Sequence, residues 1–475
     1  MRFPGLASWI ERRARRDGDD VALVTHAGVH TYRDLAGGAA RVAALLQREG
    51  VRPGDRVAFH GVNDPLALTS LFGAARAGVV WVPIHPGRPE DEVREVLDDA
   101  GARLLFRASP DTLPDLDIPV VEAEGLNAGG EAPPLREADP DDLAILAYTS
   151  GTTSGPKGVM LTQGNLLWNV VQMLAACAFA PTDVALAAAP FTRMGGLGVT
   201  VLPTLFAGGS LVVPGDTDGS TVLGTIERAR VSVVFANPDL LERLVREPAW
   251  DGTDLATVRT GVVGGGPIPP PLLAAYLERG VRLRHGYGLT EAAPVVSLLD
   301  DRDAASHAHT VGKPLPFVDV RTTGPDGREV APGEIGEWWI RGPNVAAGYW
   351  RRPEVRDAQG WFPTGDVGRI DDAGYLHFVD RASSAITVGD VVVYPTVIES
   401  ALYGTPGVAD VAVVEAAGVI VAAVAGEALD ESDLSARLGA ALPDPALPHE
   451  VRSVGAIPRN AAGKVRRDAL RALVS

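Results

Sequence analysis

Within the first hundred residues the apolar pattern alternates between a helical period and short continuous runs, and few folds accept that alternation. Stretches with helical spacing at residues 32–49, 65–77 and 90–100 each precede a brief apolar run, at 56–59, 79–83 and 103–106. Helical segments that alternate with strands of this length are the mark of βαβ units, which bury a largely parallel sheet between layers of helix. A Pro- and acid-rich linker at 131–142 leads into an apolar strand at 143–149, and runs at 231–236 and 257–264 continue the theme. Residues 310–380 change character, with many Gly, Trp, Arg and Asp between short strands. From residue 384 an α+β unit follows, with apolar strands at 408–414 and 419–424 and a closing helix at 466–474.

A chain of 475 residues has interior enough for two or more domains. The formal charge of −17 argues against a nucleic acid or an anionic membrane as partner. One cysteine, Cys177, leaves no internal disulfide and no cysteine-cluster metal site. It shares a helical stripe with Leu167, Val170, Val171 and Leu174, which is the setting of a small buried hydrophobe. The arginines at 12, 13, 15 and 16 run into Asp-Gly-Asp-Asp and not into an apolar stretch, so no secretory signal is expected and the location expected is cytoplasmic. Residues 194–215 carry no charge and are long enough to cross a bilayer, but six glycines and two prolines favour a buried strand, turn and helix.

Positive charge is supplied by forty arginines and only three lysines, Lys157, Lys313 and Lys464, each beside glycine. An ammonium is a compact point charge on a flexible stem, whereas a guanidinium is a wide planar fork, so a crowded phosphate site favours lysine. Lys157 closes Thr149-Ser-Gly-Thr-Thr-Ser-Gly-Pro-Lys157, directly after an apolar strand. Its glycines let backbone N–H groups approach phosphate oxygens, and Thr149, Ser150, Thr152 and Thr153 add hydroxyl donors around Gly151. This is not a Walker A loop, because the glycine spacing differs and Gly158 follows the lysine. Lys313, in Val311-Gly-Lys-Pro314, has two readings, a strand-edge role or a ligand contact. His307 and His309 lack a third ligand nearby and suit a solvated loop better than a metal site.

The lysine loop resembles the signature of the adenylate-forming superfamily, which includes acyl-CoA synthetases, peptide-synthetase adenylation domains and firefly luciferase. Other segments resemble that family in the same order. They are Gly264-Gly-Gly-Pro-Ile268, Gly286-Tyr-Gly-Leu-Thr-Glu291, the segment 336–349 with Ile340-Arg-Gly-Pro-Asn344, Trp361-Phe-Pro-Thr-Gly-Asp366, and 458–467 around Lys464. The resemblance covers essentially the whole chain. It implies an α/β fold: a large N-terminal adenylation domain, 1–382, with two helix-flanked sheets and a small barrel-like part, then a mobile α+β lid, 383–475, carrying the catalytic lysine.

The same resemblance implies residue roles. The lysine loop with Lys157 would cradle phosphates, and Gly264, Gly265 and Gly266 would form the turn beside adenine. Gly286, Tyr287 and Gly288 would hold adenine, with the Tyr287 face for stacking. Thr290 would meet the α-phosphate, and Glu291 would supply the hard oxygen that Mg²⁺ requires. Asp366 would accept the ribose hydroxyls, Arg381 would approach ribose and phosphate, and Lys464 would reach the bridging and α-phosphate oxygens. Thr192, Arg193, Pro294 and Val295 would border the acid. ATP and Mg²⁺ are the implied cofactors, a small-molecule acid the substrate, and CoA the expected acceptor. The expected activity is that of an AMP-forming ligase of the acid–CoA type.

Three positions depart from the family pattern. Pro190-Phe-Thr-Arg-Met-Gly-Gly196 places Arg193 where a histidine is usual. Asp380-Arg-Ala-Ser-Ser384 puts Ser383 at the hinge, and Gly389-Asp-Val-Val-Val-Tyr-Pro395 puts Asp390 in a normally glycine-rich loop. These differences are either neutral or the mark of an enzyme that has lost the thioester-forming state. In the latter case the adenylate passes to an amine or a carrier protein, or the enzyme is a diazotase that activates nitrite for an aryl amine. Arg193 is either a surface arginine paired with an acid or an anchor for an anion. Amino acid activation is disfavoured, because the pocket motif has no acid to pair with an ammonium.

Overall fold

The computed structural model describes residues 3–474 except 110, 112, 114, 128–131, 150–154, 267, 390, 404, 443, 445 and 460–464. Lys464, Asp390, Ser150, Gly151, Thr152 and Thr153 therefore lie outside the described residues. The chain divides into two compact units, Met1–Val320 with Ile340–Phe362, and Arg321–Trp339 with Pro363–Ser475.

The alternation at the N-terminus does build a parallel sheet. Its six strands run in the order Val120–Val121, Ala102–Ala108, Arg56–Gly61, Val80–Ile84, Leu143–Thr149, Lys157–Thr162. All pairs are parallel except the last, where Leu143–Thr149 and Lys157–Thr162 run antiparallel and bring Thr149 opposite Lys157. The intervening helices are Tyr32–Arg48, Pro65–Ala77 and Glu90–Ala100, all within a residue of the sequence-based bounds. Local chemistry explains such sharp ends. Thr31 and Asp34 form a reciprocal capping box, and Asp64 caps a helix that starts on Pro65.

A second sheet of nine strands occupies the rest of the first unit, in the order Lys313–Pro314, Val295–Leu298, Leu283–Gly288, Thr260–Val263, Val233–Ala236, Val184–Leu186, Ser210–Val212, Val21–Thr25, Gly28–Thr31. The uncharged stretch 194–215 reverses the expected order of elements: helical turns from Met194 to Ala207 come first, and the strand Ser210–Val212 follows. Apolar run length alone does not tell a buried helix from a buried strand. Among the described residues, no helix is long and apolar enough to cross a membrane.

The second unit holds strands Phe362–Ile370 and Leu376–Arg381 of a four-stranded sheet, where a barrel-like part is expected from sequence. It ends in a three-stranded sheet, Val408–Ala416, Val419–Gly426 and His449–Ser453. Successive side chains of a strand face opposite ways, and both faces are covered here. Val411, Val413 and Ala422 pack with Ile398, Leu402 and Leu434, while Ala412, Val414 and Val421 pack with Leu470 and Val474.

Candidate active site

Two glycine-rich segments of the first unit, Gly264–Gly265 and Gly286–Gly288, meet at one cavity of about 230 Å³. Its lining includes Gly264, Gly265, Gly286, Tyr287, Gly288, Thr290, Pro294 and Val295, with Met173, Met194, Val199 and Phe235 opposite. Antiparallel pairing of Leu283–Gly288 with Val295–Leu298 brings the tyrosine motif back onto the proline that follows it. A Cβ on Gly288 would stand 2.0 Å from the Pro294 carbonyl oxygen, so that backbone approach demands glycine. Gly265, at φ +86°, occupies the left-handed region. Gly266, Thr192 and Arg193 are not among the lining residues. Thr192 is buried and lies 3.2 Å from His85 Nδ1 through its hydroxyl.

Glu291 sits in the single turn Thr290–Ala292 and is 9% exposed. Two features fix it. Its backbone oxygen accepts from Ala346 N at 2.7 Å, and its carboxylate Oε1 accepts the Tyr349 hydroxyl at 2.7 Å. The same tyrosine ring lies 5.8 Å from Lys157 Nζ. Tyr349 is held beside that lysine by the backbone, because Val159 bridges Tyr349, Met160 N donates to Gly348 O, and Trp350 N donates to Gly158 O.

A pair of asparagines locks this arrangement. Asn165, in the capping box that opens the helix Gln163–Cys177, donates through Nδ2 to Pro343 O and Val345 O, both at 2.9 Å. Asn344, fully buried, donates to Ala292 O at 2.7 Å and Val295 O at 3.0 Å. Buried amides that bind backbone carbonyls on either side of a turn fix its position, although among the described residues Asn344 Oδ1 itself has no hydrogen-bond partner. The sequence motifs single out Asn344 and Tyr349 only as members of a segment; their contacts and those of Asn165 and His85 span distances that no local pattern encodes.

In the second unit Asp366 and Arg381 face each other on paired strands, with Arg381 Nε 2.8 Å from Asp366 Oδ1. Asp366 is 2% exposed and its amide N–H donates to the Thr364 hydroxyl oxygen. Next to Arg381, Asp380 accepts from Thr396 Oγ1 at 2.7 Å, tying the turn Ala382–Ser384 to the helix Pro395–Tyr403. Ser383 is exposed within that turn.

Lys313 lies on the edge strand of the nine-stranded sheet, opposite Leu298. His307 and His309 stack at 6.3 Å, and no group of three metal-binding side chains occurs among the described residues. Cys177 is buried, and that burial raises its thiol pKa, as for a small core hydrophobe.

A nine-stranded and a six-stranded sheet, a glycine-walled cavity, and a tyrosine that joins a buried glutamate to a nearby lysine define the first unit as a two-sheet α/β fold. The AMP-binding enzyme profile matches residues 10–350 and the AMP-binding enzyme C-terminal domain matches 397–464, so the chain belongs to the AMP-binding family of adenylate-forming enzymes. It is similar to a feruloyl-CoA synthase from an Amycolatopsis species, at 39% identity over 99% of both chains. It is also similar to an indoleacetate–CoA ligase from Aromatoleum aromaticum, at 33% identity over 99% of this chain and 98% of that one. Among solved structures it resembles o-succinylbenzoate CoA synthetase from Bacillus subtilis in complex with ATP and magnesium ion, with TM-score 0.85 and 28% identity over 98% of this chain and 99% of that one. The protein is an enzyme, an AMP-forming ligase of the acid–CoA type.

Proposed function

We propose that the enzyme activates a small aryl or medium-length acyl acid as its adenylate, releases pyrophosphate, and passes the acyl group to CoA. The observation that carries this reading is the cavity beside Gly286–Thr290, whose lining holds apolar side chains and no charged one. An apolar slot with a few polar groups at one end suits an aryl or alkyl body with a single carboxylate. Similarity to a feruloyl-CoA synthase and to an indoleacetate–CoA ligase supports an aryl acid and CoA as acceptor.

In this reading the substrate carboxylate attacks the α-phosphorus in line, and the bond to the bridging oxygen breaks with its electron pair leaving on pyrophosphate. Such chemistry asks the protein mainly for positioning and charge neutralisation. Tyr287 offers the adenine a face, and Thr290 a hydroxyl for the α-phosphate. Lys157, with Thr149 and the loop Ser150–Thr153, neutralises the departing phosphates. Asp366 accepts the ribose hydroxyls, which requires Arg381 to yield its place or share it. Lys464 supplies the last charge from the lid, residues 383–475. Glu291, a buried carboxylate oriented by Tyr349, has the hard oxygens that suit Mg²⁺, which would neutralise phosphate charge there.

The test is pyrophosphate release from Mg-ATP with a panel of aryl and aliphatic acids, with and without CoA, and separately with nitrite and aryl amines. Acid-dependent release coupled to thioester formation is the expected result. Turnover that ignores CoA and requires nitrite would overturn it and give Ser383 and Asp390 the meaning of a lost thioester step.

A further inference from the structure

The cavity beside Gly286–Thr290 has one side built from hydrocarbon and thioether. Met173, Met194, Val199, Val262 and Leu298 line it, and each is at most 5% exposed. Phe235 lines it too but is only half-buried, so part of its ring remains accessible. Backbone borders that ring. A Cβ at Gly195 would stand 3.3 Å from Cε1 and Cζ of Phe235, and one at Gly264 would stand 3.7 Å from Cε2. Glycine at both places keeps side chains off those ring edges.

The walls of this space are tied to each other. Val199 belongs to a π-helical turn, Leu197–Val201, a form that is rare and concentrated at functional sites. Asn169, fully buried, donates through Nδ2 to Gly198 O at 2.8 Å and accepts the Val295 N–H through Oδ1 at 3.4 Å. A Cβ at Gly198 would stand 2.3 Å from Pro294 Cδ, so the turn lies directly against the residues that open the strand Val295–Leu298. The cavity of about 230 Å³ does not widen without breaking these contacts. A space of that size is small for a ligand pocket and suits a single ring better than a long chain. The polar groups decide what the ring can carry. Among the described lining residues the side-chain hydroxyls are those of Tyr287 and Thr290, both on the segment assigned above to adenine and the α-phosphate. A ring hydroxyl set against the methionines and valines would leave water and gain no side-chain partner, which is costly.

We propose that the enzyme selects acids bearing one aromatic ring without a hydroxyl group, and that Phe235 is the residue that recognises the ring. This rests on the acid-activating function proposed above and names the substrate class of that site. Phe235 gives the substrate ring an aromatic partner, an interaction that an alkyl chain of equal bulk does not share. The unbroken apolar side supplies the discrimination against phenols, and the Asn169 bonds keep that side from yielding to a larger body.

The experiment compares kcat/KM for cinnamate, 4-hydroxycinnamate and octanoate in acid-dependent pyrophosphate release by wild type, Phe235→Leu and Val199→Thr. Wild type is expected to favour cinnamate over 4-hydroxycinnamate on the order of ten- to a hundredfold, the penalty for one buried, unpaired hydroxyl. Val199→Thr sets a hydroxyl on the wall with little change of shape and should narrow that gap several-fold, to roughly the worth of one hydrogen bond. Phe235→Leu should cut the preference for cinnamate over octanoate by roughly two- to tenfold, the worth of an aromatic pair. The KM of ATP should stay within about twofold, since the nucleotide loses no contact. Thermal unfolding checks that both variants fold, and the wild-type ranking needs neither. Equal use of the two cinnamates by wild type would overturn the exclusion of phenols. Equal losses with cinnamate and octanoate in Phe235→Leu would overturn the role of Phe235. Release with none of the acids would sink the proposed function and this inference together, whereas acid-dependent release without the expected ranking would sink this inference alone.

Discussion

Tyr349 donates its hydroxyl to Glu291 Oε1 at 2.7 Å and places its ring 5.8 Å from Lys157 Nζ. One aromatic side chain thus links the lysine of the glycine-rich loop to the carboxylate expected to hold magnesium. Removing the hydroxyl leaves Glu291 in place but frees its orientation. Tyr349→Phe is expected to lower kcat/KM for Mg-ATP roughly tenfold, the worth of a hydrogen bond to a charged group. Steady-state pyrophosphate release against magnesium concentration is the check, with the apparent magnesium requirement rising.

Asn344 carries two buried backbone carbonyls on one amide. Asn344→Ala leaves both without their donor, and each such loss costs about 1–3 kcal/mol. Urea unfolding should show a loss of about 2–6 kcal/mol for the pair. Activity should fall in parallel, because the turn that bears Glu291 is then unpinned.

Gly288 has no room for a side chain, with the Pro294 carbonyl 2.0 Å from a Cβ there. Gly288→Ala should cost about 1–3 kcal/mol in stability through forced backbone movement. The cavity wall would shift with it. Thermal unfolding and acid-dependent turnover, measured together, would show whether the strand pair tolerates the shift.

Lys464→Ala should reduce adenylation on the order of 10² to 10³, as for loss of one preorganised donor, with little change in stability. Single-turnover formation of the acyl adenylate reads this step directly. A wild-type rate would remove Lys464 from the catalytic set.

The pH dependence of stability has a definite sign at His85. Its folded pKa lies at about 4, below the 6.5 of an exposed histidine, so between those values the unfolded chain binds a proton that the folded protein refuses. Stability contributed by neutral His85 is complete above pH 6.5 and falls as pH drops toward 4, by no more than about 3 kcal/mol. His85→Asn should flatten that slope in urea unfolding curves taken across the interval.

The motifs around Lys157, Tyr287 and Asp366 were legible because their chemistry is local. A backbone loop that must approach a phosphate needs glycine and lysine within a few residues, and that requirement writes itself into consecutive positions. The helices Pro65–Ala77 and Glu90–Ala100 were legible for a similar reason, since caps and apolar period act over a few residues. Residues 194–215 were not, because a fully buried stretch loses the amphipathic contrast that separates helix from strand.

By itself, then, the sequence determined an α/β chain of two parts, the family to which it belongs, and the short glycine-rich segments that mark that family, since each rests on interactions between near neighbours. Only the tertiary structure decided that Tyr349 reaches Glu291 across fifty-eight positions, that Asn344 pins the turn Thr290–Ala292, and that Asn165 holds the residues on either side of Asn344. Those pairings depend on which strands lie side by side, and that order comes from packing whole layers together.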